Sequence, residues 1–168
     1  MTTRSPREGE INSVHYHFVD HDFFRNLIEE DGFLEYARVF GNYYGTPKKQ
    51  VNEWLDHGTD VILEIDVQGA LQVKEAYPDG ILIFILPPSL EELKRRIITR
   101  GSETEETMQI RLGEAVHEIS TIDRYDYRVI NEDLQTAVER VIAIITAEKC
   151  RLNDKESLEI ISRYKEDL

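Results

Sequence analysis

The chain has 168 residues, 40% of them hydrophobic and 32% charged, which suits one globular domain long enough to bury a core. Its 33 acidic and 20 basic side chains give a formal net charge of −13, so nucleic acid and anionic membranes are poor partners. No apolar run nears the roughly 20 residues of a membrane span, the polar start MTTRSPREGE has no signal-peptide core, and the single Cys150 cannot close an internal disulfide, so a cytoplasmic protein is expected.

Along the chain, His15 to Val19 predicts a strand, and Asp22 to Asp31 a short helix with Phe23, Phe24, Leu27 and Ile28 on one side. Phe33 to Tyr44 is aromatic and strand-like, broken at Gly41 and Asn42. Lys48 to His57 has Val51, Trp54 and Leu55 at helical spacing. Val61 to Val67 (VILEIDV) predicts a buried strand, Leu71 to Ala76 a short helix, and Ile81 to Leu86 (ILIFIL) a strand stopped by Pro87 and Pro88. Ser89 predicts a cap for a helix reaching about Thr99, with Glu91 and Glu92 in its first turn. Glu105 to about Ile122 predicts a polar helix, Tyr127 to Asn131 a strand, Leu134 to Leu152 an amphipathic helix, and Lys155 to Lys165 a last helix.

Strands alternating with helices, and apolar on both faces, predict a parallel sheet covered by helices. The stretch before Lys48 breaks that rhythm and predicts a small β-rich insertion. Ligands in such folds gather at the carboxyl ends of the strands, which puts Glu64, Asp66, Pro87 and Asn131 at the functional edge.

Four groups of residues carry chemistry. Arg4 and Arg7, separated by Pro6, form a fork of donors suited to one phosphate, although N-terminal arginines are commonly just solvated. Glu35, followed by Tyr43, Tyr44 and Thr46, offers a carboxylate for the paired donors of guanine, a hydroxyl for its carbonyl and tyrosines for a phosphate; ordinary strand aromatics are the plain alternative. Glu64 and Asp66 are two apart, so on a strand they point the same way, and unpartnered carboxylates there are costly. Arg100 before Gly101, and Arg111 eleven residues on, can close over transferring phosphates; a solvated helical face is the bland reading. His15, His17 and His21 have a spacing that could hold a metal, but no metal site is expected there.

TTR-x-PR-x-GE, F-x-E-x-A, GNYYGT, EID-x-QGA, ILPPS-x-EEL, RG-x-E-x-E and the VIN strand recur in order, and through them the chain resembles guanylate kinases from Thr2 to about Cys150. The resemblance implies a phosphate-loop-kinase-like α/β fold, a parallel sheet flanked by helices, as a single domain over 1–168. Within it, about 1–46 would bind GMP, 47–99 and 123–152 form the core, 100–122 the lid and 153–168 a C-terminal helix. It further implies ATP-dependent phosphorylation of GMP with Mg2+. Arg4, Arg7, Tyr16 and Tyr44 would hold the GMP phosphate; Glu35, Thr46 and Asp66 would read the base. Glu64 and Asp66 would border the magnesium and phosphates, Arg100 and Arg111 would be lid arginines, and Asn131 would lie near the adenine. Positioning and charge stabilisation supply most of the rate in such transfers.

One departure is large. Guanylate kinases begin with a strand, a G-x-x-G-x-G-K-[ST] loop and a helix, and no G-K-[ST] occurs in this sequence. The expectation is a chain that starts about one βα unit late, binds GMP, and is impaired in ATP binding and catalysis. The alternative is a catalytically inactive interaction module of the same fold. A smaller departure is Ser13, where many relatives carry Gly; a turn needing positive φ would strain it. The last helix is left to pack on the core or on another subunit, so a homo-oligomer stays open.

Overall fold

The computed structural model describes residues 1–39, 41–99, 105–152 and 154–166. They form an α/β protein of two compact units, Met1–Leu82 with His117–Asp126, and Ile83–Val116 with Tyr127–Leu168.

In the first unit, Asp20 starts α1 (His21–Glu29) by accepting the Phe23 N–H at 2.7 Å, which satisfies one of the helix's orphan donors. The helix buries Phe24, which is fully enclosed and stacks on Phe33 at 4.3 Å and on Tyr43 at 5.4 Å between ring centroids. Those two rings come from β1 (Phe33–Val39) and β2 (Asn42–Pro47), an antiparallel hairpin whose turn includes Gly41 at φ +84°. The register sets Glu35 opposite Thr46 and Ala37 opposite Tyr44.

Two helices, α2 (Lys48–Asp56) and α3 (Val67–Ala76), pack against β1 and bury Val51 and Ala70. The third begins four residues earlier than its apolar spacing predicts, because the Asp66 carboxylate caps it by accepting the Gly69 N–H at 2.8 Å. The N-terminal segment lies along β2. Thr3 N–H donates to the Tyr43 carbonyl at 3.0 Å, Gly45 N–H to that of Met1 at 3.0 Å, and Thr2 N–H to that of His17 at 2.9 Å. Thr2 can be wholly buried because its hydroxyl also donates, to the Tyr43 carbonyl at 2.9 Å.

Two predicted strands are corrected. His15 to Val19 engages only through isolated bridges, Asn12 with Tyr16 and Thr2 with Phe18, while backbone bonds from Ser13, Val14 and His15 curl residues 11–16 into turns. Val61 to Asp66 belongs to no strand, and Ile62 is 75% exposed. An apolar run sets a wish for burial, but a strand is a property of a pair, and no described residue ladders with this segment.

In the second unit, β3 (Ile83–Leu86) and β4 (Tyr127–Ile130) pair in parallel as the sequence predicts, with Asn131 N–H donating to the Leu86 carbonyl at 2.7 Å just beyond. The Ser89 hydroxyl accepts the Glu92 N–H at 3.1 Å and starts α4 (Leu90–Thr99). Further α-helices are α5 (Glu105–Ile119), of which the residues to Val116 belong to this unit, α6 (Leu134–Glu148), capped by Asp133, and α7 (Asp154–Glu166). Phe84, Ile97, Met108, Val129 and Ala137 are buried here. Among the described residues, no helix is long and apolar enough to cross a membrane.

Candidate functional site

Two clusters in the first unit gather most of the predicted residues. The first centres on Arg4. Its Nη1 donates to Glu10 Oε2 and its Nη2 to Glu10 Oε1, each at 2.9 Å, and Nη1 also donates to the Ser5 carbonyl at 2.7 Å. The guanidinium carbon lies 5.6 Å from the centroid of the Tyr16 ring and 5.6 Å from that of Phe18. Tyr16 meets the ring of Tyr44 edge-on at 6.2 Å.

A turn makes this possible: Glu10 N–H donates to the Arg7 carbonyl at 3.0 Å, with Gly9 at φ +83°. Glu10 also accepts the Arg7 backbone N–H at 2.6 Å. The Arg4 hydrogen bonds, and after them that of Arg7, pull the Glu10 carboxyl down to about 2. The same pair raises Arg4, with the nearby Tyr44 hydroxyl adding to it. Arg4, Tyr16 and Tyr44 therefore come together, whereas Arg7 joins through its backbone and its side chain is exposed.

The second cluster is Glu35, Thr46 and Asp66. Glu35 is only 4% exposed, and its Oε1 accepts the Thr46 hydroxyl at 2.5 Å across the hairpin. Burial pushes the Glu35 carboxyl up and the charge of Asp66 adds to this, while the Thr46 bond and the N-terminal ammonium oppose it. In this geometry the single Thr46 proton is committed to Glu35, so donation to a base carbonyl requires its release. Glu64 does not share a strand face with Asp66: Glu64 is exposed, and Asp66 is the half-buried cap of α3. An open cleft has Tyr16 from one cluster and Thr46 from the other on its wall, with Ser13 and Gln50 beside them.

Sequence reasoning missed four residues here. Glu10 stood in a quoted motif, six residues after Arg4, a spacing with no regular period to signal contact. Gly69 is packed against Glu35, and only the close approach reveals why it is glycine. Gln72 clamps the backbone of β1, its Nε2 donating to the Tyr36 carbonyl at 2.9 Å and its Oε1 accepting the Tyr36 N–H at 3.1 Å. That pairing blunts a free strand edge, and no local pattern announces it. Tyr125 is pushed up, by burial first and then by the charges of Glu118 and Asp66.

In the second unit, Arg111 is half-buried on α5, and Arg100 lies outside the described residues. The Asn131 carbonyl accepts Arg96 Nη2 at 2.8 Å, and Arg96 Nε donates to Glu92 Oε1 at 2.7 Å. Arg95 and then Arg96 draw the Glu92 carboxyl down to about 2. Arg96 thus fixes the end of β4, a contact 35 residues away in sequence.

The guanylate kinase family model matches residues 1–148. The guanylate kinase of Clostridium tetani is 59% identical over 152 residues, covering 90% of this chain and 73% of the relative. That of Clostridioides difficile is 47% identical over 167 residues, covering 99% and 81%. The crystal structure of guanylate kinase from Anaplasma phagocytophilum superposes with a TM-score of 0.77 at 38% identity, covering 89% of this chain and 73% of that one.

Proposed function

The chain belongs to the guanylate kinase family, and on that premise we propose that GMP is its phosphoryl acceptor and ATP its donor. What supports the acceptor half is Glu35. A carboxylate buried to 4% exposure, which the Thr46 hydroxyl and backbone N–H only partly offset, is costly to keep ionised. A guanine N1–H and exocyclic amine would supply two further donors side by side; adenine does not present that pair. Arg4, Tyr16 and Tyr44 form the phosphate end of the same site, with Arg7 able to reach in from the exposed side of its turn.

Arg100 and Arg111 would offset charge on the transferring phosphoryl group, and Asn131 would border the adenine. Asp66 would help hold a magnesium ion carried by the ATP phosphates. Among the described residues no three His, Cys, Asp or Glu side chains converge on a metal site, and a magnesium that keeps waters and phosphate ligands needs only one or two carboxylates. Asp66 fits that demand, since capping Gly69 uses Oδ1 and leaves Oδ2. When bound, the ion neutralises phosphate charge; the chain's own residues bind, orient and exclude water. A cytoplasmic setting is part of the proposal, which the single cysteine fits.

These 168 residues hold no G-x-x-G-x-G-K-[ST] stretch. On their own they are proposed to bind GMP and to turn it over poorly, because such a loop is what offers a row of backbone N–H groups and a lysine to the ATP phosphates. Calorimetric titration with GMP, with AMP as control, tests the acceptor half. Selective GMP binding that disappears in Glu35→Ala and Arg4→Ala supports it. A folded chain that ignores GMP points instead to an interaction module. Robust GMP-dependent ADP formation by the 168-residue chain refutes the proposed impairment.

A further inference from the structure

Arg4 carries five N–H donors in one plane. Glu10 takes one from each terminal nitrogen, and the Ser5 carbonyl takes the second hydrogen of Nη1. Those bonds leave the Nε–H and the remaining Nη2–H, which a planar guanidinium directs the same way along one edge, with the Tyr44 hydroxyl as a further side-chain partner that a phosphate would share or displace. Two parallel N–H groups are the fork that grips two oxygens of a phosphate. The Arg4 side chain is only 14% exposed and lies over the Tyr16 and Phe18 rings, with the Tyr44 hydroxyl beside it, so it has little room to turn.

Glu10 does a second thing. By accepting the Arg7 N–H at 2.6 Å it closes the turn from Arg4 to Glu10 and fixes where the Arg7 side chain departs. Both arginines are thereby referred to one carboxylate. A negative charge so near a phosphate site is unfavourable by simple Coulomb reasoning, which makes its presence informative. If charge alone mattered, the site would bind phosphate better without it.

We propose that Glu10 is a positioning residue for the nucleotide phosphate, holding the Nη1–Nη2 end of Arg4 so that the Nε–Nη2 edge is the one presented, and setting the turn that carries Arg7. This rests on the assignment of Arg4 to the GMP phosphate. Glu10 touches no part of the ligand itself and works through the two arginines. Its effect is confined to ligands that carry a phosphate.

The test is calorimetric titration of the 168-residue chain and its Glu10→Ala, Glu10→Gln, Arg4→Ala and Arg4→Ala/Glu10→Ala variants with GMP and with guanosine, folding being checked by circular dichroism. Glu10→Ala is expected to weaken GMP about tenfold, the loss of one well-oriented charge-assisted contact, and to leave guanosine unchanged. Glu10→Gln, which keeps the shape and one acceptor, is expected to lose less. The double variant is expected to bind GMP no worse than Arg4→Ala with Arg7 still present, within about threefold, since the contribution of Glu10 runs mainly through Arg4. GMP binding by Glu10→Ala as tight as the parent's, or tighter, overturns the proposal, as does an equal loss for guanosine. If the parent chain binds guanosine but Arg4→Ala leaves GMP untouched, the assignment of Arg4 itself falls, and this inference with it.

Discussion

Gly69 stands so close to Glu35 that a Cβ at position 69 would lie 2.5 Å from Glu35 Oε2 and 3.1 Å from its carboxyl carbon. The glycine comes from the first turn of α3 and the carboxylate from β1, so the helix–strand packing itself sets the space around the candidate base reader. Gly69→Ala must therefore displace a side chain that is buried and hydrogen-bonded to Thr46. The expected cost is about 1–3 kcal/mol of stability, typical of overpacking, together with a fall in GMP affinity. Urea denaturation and calorimetric titration check the two effects. An alanine variant that binds GMP like the parent would show that Glu35 tolerates the shift and that its present position is not the working one.

The raised Glu35 carboxyl gives a pH dependence with a definite sign. Burial, and then Asp66, make the folded protein hold this proton more tightly than the unfolded chain, whose glutamates titrate near about 4.3. The stability from Glu35 is therefore complete below that value and is lost as pH rises through the folded one. The proposed base recognition runs the other way, because two guanine donors need the ionised carboxylate. Guanosine, with no phosphate to titrate, is the ligand to use. Its affinity is expected to fall on acidification with a midpoint above about 4.3, and Glu35→Gln should flatten the profile while weakening binding by about 1.5–3 kcal/mol. A midpoint at or below the ordinary glutamate value would remove Glu35 from the base.

Ser13 sits at φ +65°, the left-handed region that a side chain enters at a cost. It is exposed, and its N–H donates to the Tyr16 carbonyl at 2.7 Å, so the conformation is held by the turn and not by contacts of its hydroxyl group. Ser13→Gly should stabilise the chain by a few tenths to about 1 kcal/mol, relief of strain being partly offset by the freer unfolded chain. Ser13→Val should destabilise it, since a β-branched residue resists that φ more strongly. Paired urea melts read both, and the same order in reverse would contradict the strain.

Much of this was legible in the residues themselves. Ser89 followed by Glu91 and Glu92 marked the start of α4, and the caps Asp20 and Asp133 begin helices whose apolar spacing was already plain. The hairpin was visible from its aromatic run broken at Gly41, and its register then joined Glu35 to Thr46. What failed was pairing. VILEIDV reads as a buried strand by composition, yet strand identity depends on a neighbour, and Val61 to Asp66 has none among the described residues. His15 to Val19 failed for a related reason, since local backbone bonds at Ser13 and His15 outcompeted a ladder. The contacts of Gln72 with Tyr36 and of Arg96 with Asn131 span 36 and 35 residues, and long-range side-chain-to-backbone bonds leave no periodic trace.

Lys74 and Asp126 form the clip that closes the first unit, and removing either should have unequal effects. Asp126 Oδ2 accepts the Leu82 N–H at 2.8 Å while Asp126 N–H returns a bond to the Leu82 carbonyl at 3.0 Å. Lys74 Nζ reaches Asp126 Oδ2 at 3.0 Å and the Gly80 carbonyl at 2.7 Å. Both side chains are about a third exposed, so the ion pair itself is worth well under about 1 kcal/mol. The backbone bond to Leu82 matters more, because Leu82 is buried and losing the bond strands a buried donor. Asp126→Ala is thus expected to cost about 1–3 kcal/mol and Lys74→Met about 1 kcal/mol or less. In the double variant the loss should fall short of the sum, since the Lys74–Asp126 contact is already lost in either single variant. Urea melts at two salt concentrations settle the order: salt should leave the Asp126→Ala deficit nearly unchanged. A deficit that vanishes in high salt would mean the charge pair, and not the bond to Leu82, carries the clip.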